Sequence, residues 1–181
     1  MADAGLNVIA DDFLHGENFK IGHFCIVEEG VRVGKNVTIG HHAILHKGIV
    51  VDDNSTIGSF CEIGKGVKVG KNVMIQGRIR TGDNCVIEDD VIIKYGTILT
   101  GDVLLKKKCF LGPNVITLGS THKRVELHGT VIGERTYIGA GSKLTGATKV
   151  GDDIVVGALS FVNRDILESG IYVGIPIKKI K

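Results

Sequence analysis

A six-residue repeat of aliphatic side chains runs through most of the chain. Counting from Ile21 to Thr117, every sixth residue is aliphatic apart from Thr81 and Thr117. A second series at the same interval, which starts at Cys25, holds only small or β-branched residues, and glycine often follows the aliphatic position. This period fits neither a helix nor a simple strand pattern. It therefore indicates a repeat architecture, in which each unit packs only on its neighbours.

The six-residue period predicts an all-β fold, a left-handed parallel β-helix built from hexapeptide repeats. Each hexad gives a short strand and a tight corner, and three hexads close one coil of about 18 residues. We expect the aliphatic anchors to stack inside the coil and the small residues to fill its corners. The glycines are expected to let the backbone turn.

The repeat predicts a single domain over residues 1–181. The pattern is weak in residues 1–20, which are expected to form an N-terminal cap coil. Hexad coils are predicted over 21–117 and 132–167, and a short C-terminal tail over 168–181. The step from Thr117 to Ile132, where the pattern resumes, is not a multiple of six. This break predicts an extruded loop at about 118–131, and such loops often carry function.

Composition and charge exclude several classes of protein. The formal net charge of +2 gives no broad basic surface for nucleic acid. No apolar run is long enough to span a bilayer, and the first 13 residues lack the features of a secretory signal. We therefore expect a cytoplasmic protein without nucleic-acid or membrane partners. The four cysteines occupy the small inward positions, where they are expected to be buried filler: Cys25, Cys61, Cys85 and Cys109.

A group of histidines lies in the early coils. His41 and His46 form an H-x4-H pair, and His23 lies three hexads before His41, so it should stack one coil away. The run 37–48 (VTIGHHAILHKG) resembles the γ-class carbonic anhydrases and their relatives, in which two histidines at this spacing and a third from the preceding coil hold zinc. In this chain the residue that should stack on His46 is Glu28. Because of this departure we expect no metal, and a carbonic-anhydrase-like metalloprotein stays as an alternative.

The C-terminal third of the chain carries a second set of motifs. They are GPNV at 112–115, TH at 121–122, IGAGS at 138–142, VGALS at 156–160, NRDI at 163–166 and GIPIKKI at 174–180. With them the chain resembles the hexapeptide-repeat acyltransferases and is most similar to the sugar O- and N-acetyltransferases. The stretch 21–40 is similar to acetyltransferases that act on nucleotide-linked amino sugars in surface-polysaccharide pathways. The resemblance implies a homotrimer with active sites between subunits, an acetyl-CoA donor and a histidine base.

The predicted loop holds the candidate base. Acyl transfer from a thioester needs a deprotonated amine or hydroxyl, and histidine titrates near neutrality. We predict that His122 is the catalytic base, with His128 as the alternative and Glu126 as a candidate to orient the imidazole.

The resemblance also implies where acetyl-CoA lies. Backbone amides near two alanines would meet the pantetheine arm, two glycines would allow its close approach, and three basic residues would lie near the adenosine phosphates. These candidate cofactor-binding residues are Gly139, Ala140, Gly157, Ala158, Arg164, Lys178 and Lys179.

Two residues are candidates for binding the substrate, and a tyrosine is assigned to packing. Asn114 of the GPNV motif and Lys108, the last residue of a run of three lysines, are candidate substrate-binding residues. The lysine run is otherwise interpreted as a solvated corner. Tyr137 is expected to pack beside the loop.

The sequence thus predicts an acyltransferase that moves an acetyl group from acetyl-CoA to a sugar. We expect the acceptor to be a nucleotide-linked amino sugar. A non-catalytic β-helix scaffold is the third hypothesis, beside the metalloprotein.

Overall fold

Short strands joined by tight corners make up nearly all of the computed structural model, which describes residues 6–127 and 129–181. Within these residues there are 27 strands of two to four residues each. Strands that lie three apart in the chain pair with each other, so the register advances by 18 residues, as in Val8↔Ile26 and Ile26↔Ile44. Three sheets result, and the chain visits sheets A, B and C in turn.

The strands of each sheet stack along the axis of the coil. Sheet A contains β1 Val8–Ile9, β4 Ile26–Val27, β7 Ile44–Leu45, β10 Glu62–Ile63, β13 Arg80–Thr81, β16 Ile98–Leu99, β19 Ile116–Leu118, β22 Lys143–Thr145 and β25 Phe161–Val162. Sheet B contains β2 Leu14–His15, β5 Arg32–Val33, β8 Val50–Val51, β11 Lys68–Val69, β14 Val86–Ile87, β17 Leu104–Leu105, β20 Val131–Ile132 and β23 Lys149–Val150. Sheet C contains β3 Lys20–Ile21, β6 Thr38–Ile39, β9 Thr56–Ile57, β12 Met74–Ile75, β15 Ile92–Ile93, β18 Phe110–Leu111, β21 Tyr137–Ile138, β24 Ile154–Val156, β26 Gly170–Val173 and β27 Lys178–Lys179. We name each corner by the two sheets that it joins: A–B, B–C and C–A.

The predicted all-β fold, a left-handed parallel β-helix of hexapeptide repeats, is confirmed. The aliphatic anchors are buried and form a continuous core, to which Leu45, Ile63 and Leu99 belong. All strand pairs are parallel except β26 with β27. None of the described residues belongs to a helix long and apolar enough to cross a membrane.

Both ends of the coil carry regular structure. The strands β1 and β2 already pair with β4 and β5, and the rings of Phe13 and Phe19, 5.3 Å apart, pack against the core. At the other end β26 continues sheet C and β27 turns back on it. The segment 168–181 thus adds two strands to the sheet.

The glycines have a different role from the predicted one. Positive φ angles occur two residues after them, for example at Asn36 (56°) and His42 (55°), and not at Gly34 or Gly40. A Cβ atom on Gly40 would lie 2.4 Å from the backbone nitrogen of Ser59 in the next coil. The expectation that these glycines supply the turn is wrong: they are needed because adjacent coils approach too closely for a side chain.

The cysteines are free and buried, as predicted. Burial raises the pKa of the Cys85 thiol to about 11 and that of Cys109 to about 12. These thiols therefore stay protonated at neutral pH and serve as core packing.

Candidate functional site

The insertion that breaks the repeat is a β-hairpin at the A–B corner between β19 and β20. Ser120 and Glu126 pair in antiparallel fashion, and the backbone N–H of Leu127 donates to the carbonyl of Gly119 at 2.8 Å. We call residues 119–127 the hairpin. His122 lies exposed in its turn. The alternative base, His128, lies outside the described residues.

A pair of threonines holds the base of the hairpin. The Oγ1 of Thr117 accepts a hydrogen bond from the backbone N–H of Thr100 at 2.7 Å and lies 2.9 Å from the Thr100 hydroxyl. Gly119 packs against Thr100, since a Cβ on Gly119 would lie 3.0 Å from the methyl group of Thr100. The hairpin therefore leaves the coil from a fixed point.

The C–A corner holds the two alanines that are candidates for coenzyme binding. In the first two coils of this column the matching backbone N–H is accepted by a side chain one coil further on: His41 Nδ1 accepts from His23, and Ser59 Oγ accepts from His41, both at 3.0 Å. Further along the described column, the N–H groups of Ser59, Gly77 and Tyr95 have no acceptor. Ala158 follows Ala140 in this column and has no side-chain acceptor. Among residues 6–127 and 129–181, neither the Ala140 nor the Ala158 N–H has a hydrogen-bond acceptor. Two donors in adjacent coils are thus available to a ligand.

The glycines beside these alanines are explained by coil packing. A Cβ on Gly139 would lie 2.4 Å from the backbone nitrogen of Ala158, and one on Gly157 would lie 2.7 Å from the Cγ1 of Val173. At both glycines, the position that a Cβ would occupy faces the next coil rather than open space.

The three basic residues predicted near the coenzyme phosphates are exposed. Lys179 donates to the carboxylate of Glu168, so part of its charge is compensated. Arg164 and Lys178 have no ion-pair partner within the described part of the chain. Of the three, these two retain an uncompensated charge. Arg164 follows β25 at the A–B corner, so sheet A separates it from Ala140 and Ala158 within one chain.

The two predicted substrate-binding residues lie at different corners. Asn114 is at the C–A corner, where the carbonyl of the preceding Pro113 accepts the N–H of Gly141, so Asn114 lies beside the Ala140 column. Lys108 is at the B–C corner, where its N–H donates to the carbonyl of Asp89. The structure therefore brings only Asn114 close to the candidate coenzyme residues.

The other two lysines of the basic run form ion pairs. Lys107 lies 3.1 Å from Asp89, which raises the pKa of the lysine, and Lys106 lies 3.7 Å from Asp152. These contacts agree with a solvated corner.

Tyr137 does not lie beside the hairpin. Its ring stacks on Phe110 with centroids 4.9 Å apart, on the outer face of sheet C, whereas the hairpin leaves at the A–B corner. The expected position of Tyr137 is wrong because a residue that begins a strand points outward from its own sheet.

The histidines of the early coils have protein partners. The predicted stacking of His23 and His41 is confirmed, with ring centroids 5.3 Å apart. Glu28 stacks on His46 as expected: Nδ1 of His46 lies 3.1 Å from Glu28, and its Nε2 lies 3.5 Å from Glu62. Chiefly because His46 donates to this carboxylate, the pKa of Glu28 is lowered. Among the described residues no three His, Cys, Asp or Glu side chains are arranged to hold a metal ion.

An exposed aromatic column at the C–A corner was not predicted from the sequence. Phe24, His42 and Phe60 stack at spacings of 5.0 and 4.9 Å, and the guanidinium of Arg78 lies 5.5 Å from the Phe60 ring centroid. These residues recur every 18 positions, so an inspection at the period of a whole coil reveals the column.

Comparison with known families agrees with this architecture. Residues 9–108, more than half of the chain, match the family model described as the GMPPB C-terminal domain. The chain belongs to this family. Residues 129–164 match the model described as the hexapeptide repeat of succinyl-transferase.

Two curated relatives match about half of this hexapeptide-repeat chain. The bifunctional protein GlmU of Picosynechococcus sp. is 31% identical over 102 residues, which is 51% of this chain and 22% of the relative. The serine acetyltransferase of Helicobacter pylori is 32% identical over 99 residues, which is 55% of this chain and 47% of the relative. The chain thus spans less than half the length of either relative.

Solved structures share the fold over a longer stretch. The UDP-N-acetylglucosamine acyltransferase from Campylobacter jejuni matches 97% of this chain and 73% of its own, with a TM-score of 0.88 and 20% identity. A mutant of AntD, an N-acyltransferase from Bacillus cereus solved in complex with dTDP and coenzyme A, matches 71% of this chain and 83% of its own, with a TM-score of 0.62 and 21% identity. At these identities the likeness shows the fold alone.

Proposed function

We propose that this chain is an acetyl-CoA-dependent acyltransferase that acetylates a sugar, with a nucleotide-linked amino sugar as the acceptor. The observation that carries the proposal is the pair of unaccepted backbone N–H groups at Ala140 and Ala158. They occur in a fold shared with AntD, a protein solved with coenzyme A.

Acetyl-CoA would lie along the C–A corner. The N–H groups of Ala140 and Ala158 would donate to the carbonyl oxygens of the pantetheine arm or to the thioester. A donor aimed at the thioester oxygen stabilises the charge that develops there during attack. Lys178, in β27 of sheet C, would pair with the phosphates of the coenzyme.

The complete site would require a second copy of the chain. The hairpin leaves at the A–B corner and the N–H groups of Ala140 and Ala158 lie at the C–A corner, so sheet A separates them within one chain. In a homotrimer the hairpin of one subunit would cover the C–A corner of the next. The trimer and a cytoplasmic location are part of this proposal.

His122 would act as the general base. Its imidazole takes the proton from the acceptor amine or hydroxyl as that group attacks the thioester carbonyl. The tetrahedral intermediate then collapses, and the imidazolium returns the proton to the departing thiolate of coenzyme A. No covalent enzyme intermediate is needed, which agrees with the buried cysteine thiols.

The test of this role is the variant His122→Ala, assayed for acetyl transfer from acetyl-CoA. We expect kcat to fall on the order of a hundredfold or more, the loss typical of a removed general base. Binding of acetyl-CoA should be unchanged, because the proposed contacts to the coenzyme come from backbone N–H groups and Lys178 and not from the imidazole of His122.

The matched control is Lys123→Ala, an exposed residue of the same turn. Its kcat should stay within about threefold of the wild type, since most surface substitutions have small effects. Equal rates for wild type and His122→Ala would remove His122 from catalysis.

The acceptor panel should include nucleotide-linked amino sugars, free sugars and serine, because a serine acetyltransferase is among the relatives. Efficient acetylation of free sugars or serine, without activity on nucleotide sugars, would overturn the acceptor proposal.

One observation favours a second candidate function. The family match over residues 9–108 ends before the hairpin and the Ala140 column. A non-catalytic β-helix domain would agree with it, and such a domain would bind no acyl-CoA.

A further inference from the structure

A groove on the outer face of sheet A runs towards the base of the hairpin. It encloses about 410 Å³. Its floor contains Gly64 and Gly82, which have no side chains, and its far end is Thr100, the residue that is bonded to Thr117 under the hairpin. We call it the sheet A groove. Its position leads from the early coils to the proposed active site.

The floor of the groove contains a break in the hydrogen-bond ladder of the sheet. In neighbouring coils the ladder bond goes to a backbone carbonyl, as from Gly82 N–H to Leu99 at 2.7 Å. At Thr81 the side chain replaces the backbone, because Gly64 N–H donates to Thr81 Oγ1 at 2.9 Å. The register between β10 and β13 is therefore reduced to the single pair Glu62↔Arg80.

The break leaves a backbone carbonyl without a donor at Thr81, a residue that lines the groove. No N–H group of the described residues donates to the carbonyl oxygen of Thr81. A buried or partly buried carbonyl without a donor is uncommon, and it favours a ligand that carries an O–H or N–H group. Thr117 makes the same substitution two coils further on, at the base of the hairpin.

The walls of the groove carry charged side chains of both signs. Arg80 is exposed, its Nε lies 3.4 Å from Glu62, and its two terminal nitrogens donate no hydrogen bond to the described residues. Lys65 lines the same groove. Asp83, also at the rim, accepts the backbone N–H of Lys65 at 2.9 Å. A guanidinium with two free nitrogens matches the oxygens of a phosphate group.

We infer that the sheet A groove binds the acceptor, with Arg80 and Lys65 on its phosphates and the Thr81 carbonyl on a hydroxyl donor. This inference rests on the proposed function. The coils of Thr81 and Thr117 lie two strand spacings apart, or about 10 Å, which leaves room for one sugar ring between the phosphates and the hairpin base. The groove therefore selects nucleoside diphosphate sugars.

The test is direct binding of nucleoside diphosphates to the full chain by calorimetry, with UDP, GDP and dTDP as probes. We expect at least one of them to bind the wild type and to bind Arg80→Gln roughly ten- to hundredfold more weakly, the usual effect of losing a charge-assisted pair. The matched control is Arg78→Gln, an exposed arginine of the same coil whose guanidinium lies over Phe60. It should bind the probe like the wild type.

A second pair of variants tests the carbonyl. Thr81→Val removes the hydroxyl, so the Gly64 N–H would bond to the backbone carbonyl as in the other coils. Thr81→Ser keeps the hydroxyl. The KM for a nucleotide sugar should rise roughly threefold to tenfold in the valine variant, about the effect of one lost hydrogen bond, and stay near the wild-type value in the serine variant.

The result separates this inference from the function on which it rests. If no nucleoside diphosphate binds, or if Arg80→Gln binds as well as the wild type, the groove assignment is overturned whatever the acetyl-CoA result. Loss of probe binding in Arg80→Gln alone supports the groove even in a chain that binds no acetyl-CoA.

Discussion

At the scale of single residues, partners one coil away decide what a polar side chain does. Asn36 donates to Asn54, His41 accepts from His23, and Glu28 pairs with His46, each across 18 residues. The sequence period predicts this spacing, so the stacking of His23 on His41 and of Glu28 on His46 could be predicted. Which contacts form depends on side-chain reach, and the hexad period alone does not indicate that Glu62 also approaches His46.

The pair of Glu28 and His46 predicts a pH-dependent contribution to stability. The pKa of Glu28 is lowered from its ordinary 4.5, chiefly by the hydrogen bond from His46. A lowered native pKa stabilises the folded state above the ordinary value, and this contribution is lost as the pH falls through the lowered one. Glu28→Gln should therefore lower Tm at about pH 7, and this deficit should shrink as the pH falls below the ordinary glutamate value towards about pH 3.

The control for this measurement is Glu17→Gln, since Glu17 is an exposed glutamate 3.5 Å from Lys35. Its Tm should follow the wild type at both pH values, because exposed pairs contribute little. A deficit of Glu28→Gln that is equal at both pH values would show that the cause is packing rather than charge.

At the scale of elements, the coils differ from one another at their corners and at the hairpin. The interruption after Thr117 predicts that a loop leaves the coil, and a hairpin is found there. Its internal pairing is made by backbone groups, and its anchoring through Thr100 depends on the hydroxyl of Thr117, which replaces a carbonyl in the ladder. The sequence shows only that Thr81 and Thr117 are the two polar residues in an aliphatic series. It does not show that their hydroxyls replace carbonyls in the ladder.

Coil contact at the glycines gives a prediction for one corner. In Gly139→Ala the new methyl group would lie 2.4 Å from the backbone nitrogen of Ala158, and a backbone neighbour cannot move aside cheaply. The free energy of unfolding should fall by about 1–3 kcal/mol, the usual cost of overpacking. Thermal or denaturant unfolding measures it.

The matched control is Gly48→Asn. Gly48 has a φ of 70° and nothing within 4 Å of an added Cβ, and asparagine occupies the equivalent position at Asn84. This variant should unfold within about 0.5 kcal/mol of the wild type. Equal stability of Gly139→Ala and Gly48→Asn would contradict the packing argument.

At the scale of the whole molecule, the fold follows from the sequence because the repeat is regular over most of the chain. The anchors and the buried cysteines are members of series with the six-residue interval, and the break after Thr117 is a departure from that interval. The proposed active site is less predictable, because it would join the hairpin of one copy to the C–A corner of another. The open amides of Ala140 and Ala158 are backbone groups, and only the structure shows that the next coil leaves them without an acceptor.

The central claim is that the C–A corner binds acetyl-CoA, and calorimetric titration of acetyl-CoA into the wild type and Ala158→Ser tests it most directly. The account predicts saturable binding to the wild type. It predicts affinity roughly threefold to tenfold lower in Ala158→Ser, because the new hydroxyl would accept the Ala140 N–H as Ser59 accepts that of His41. Ser59→Ala, at the same corner of an early coil, should bind like the wild type. Absence of acetyl-CoA binding to the wild type would contradict the account.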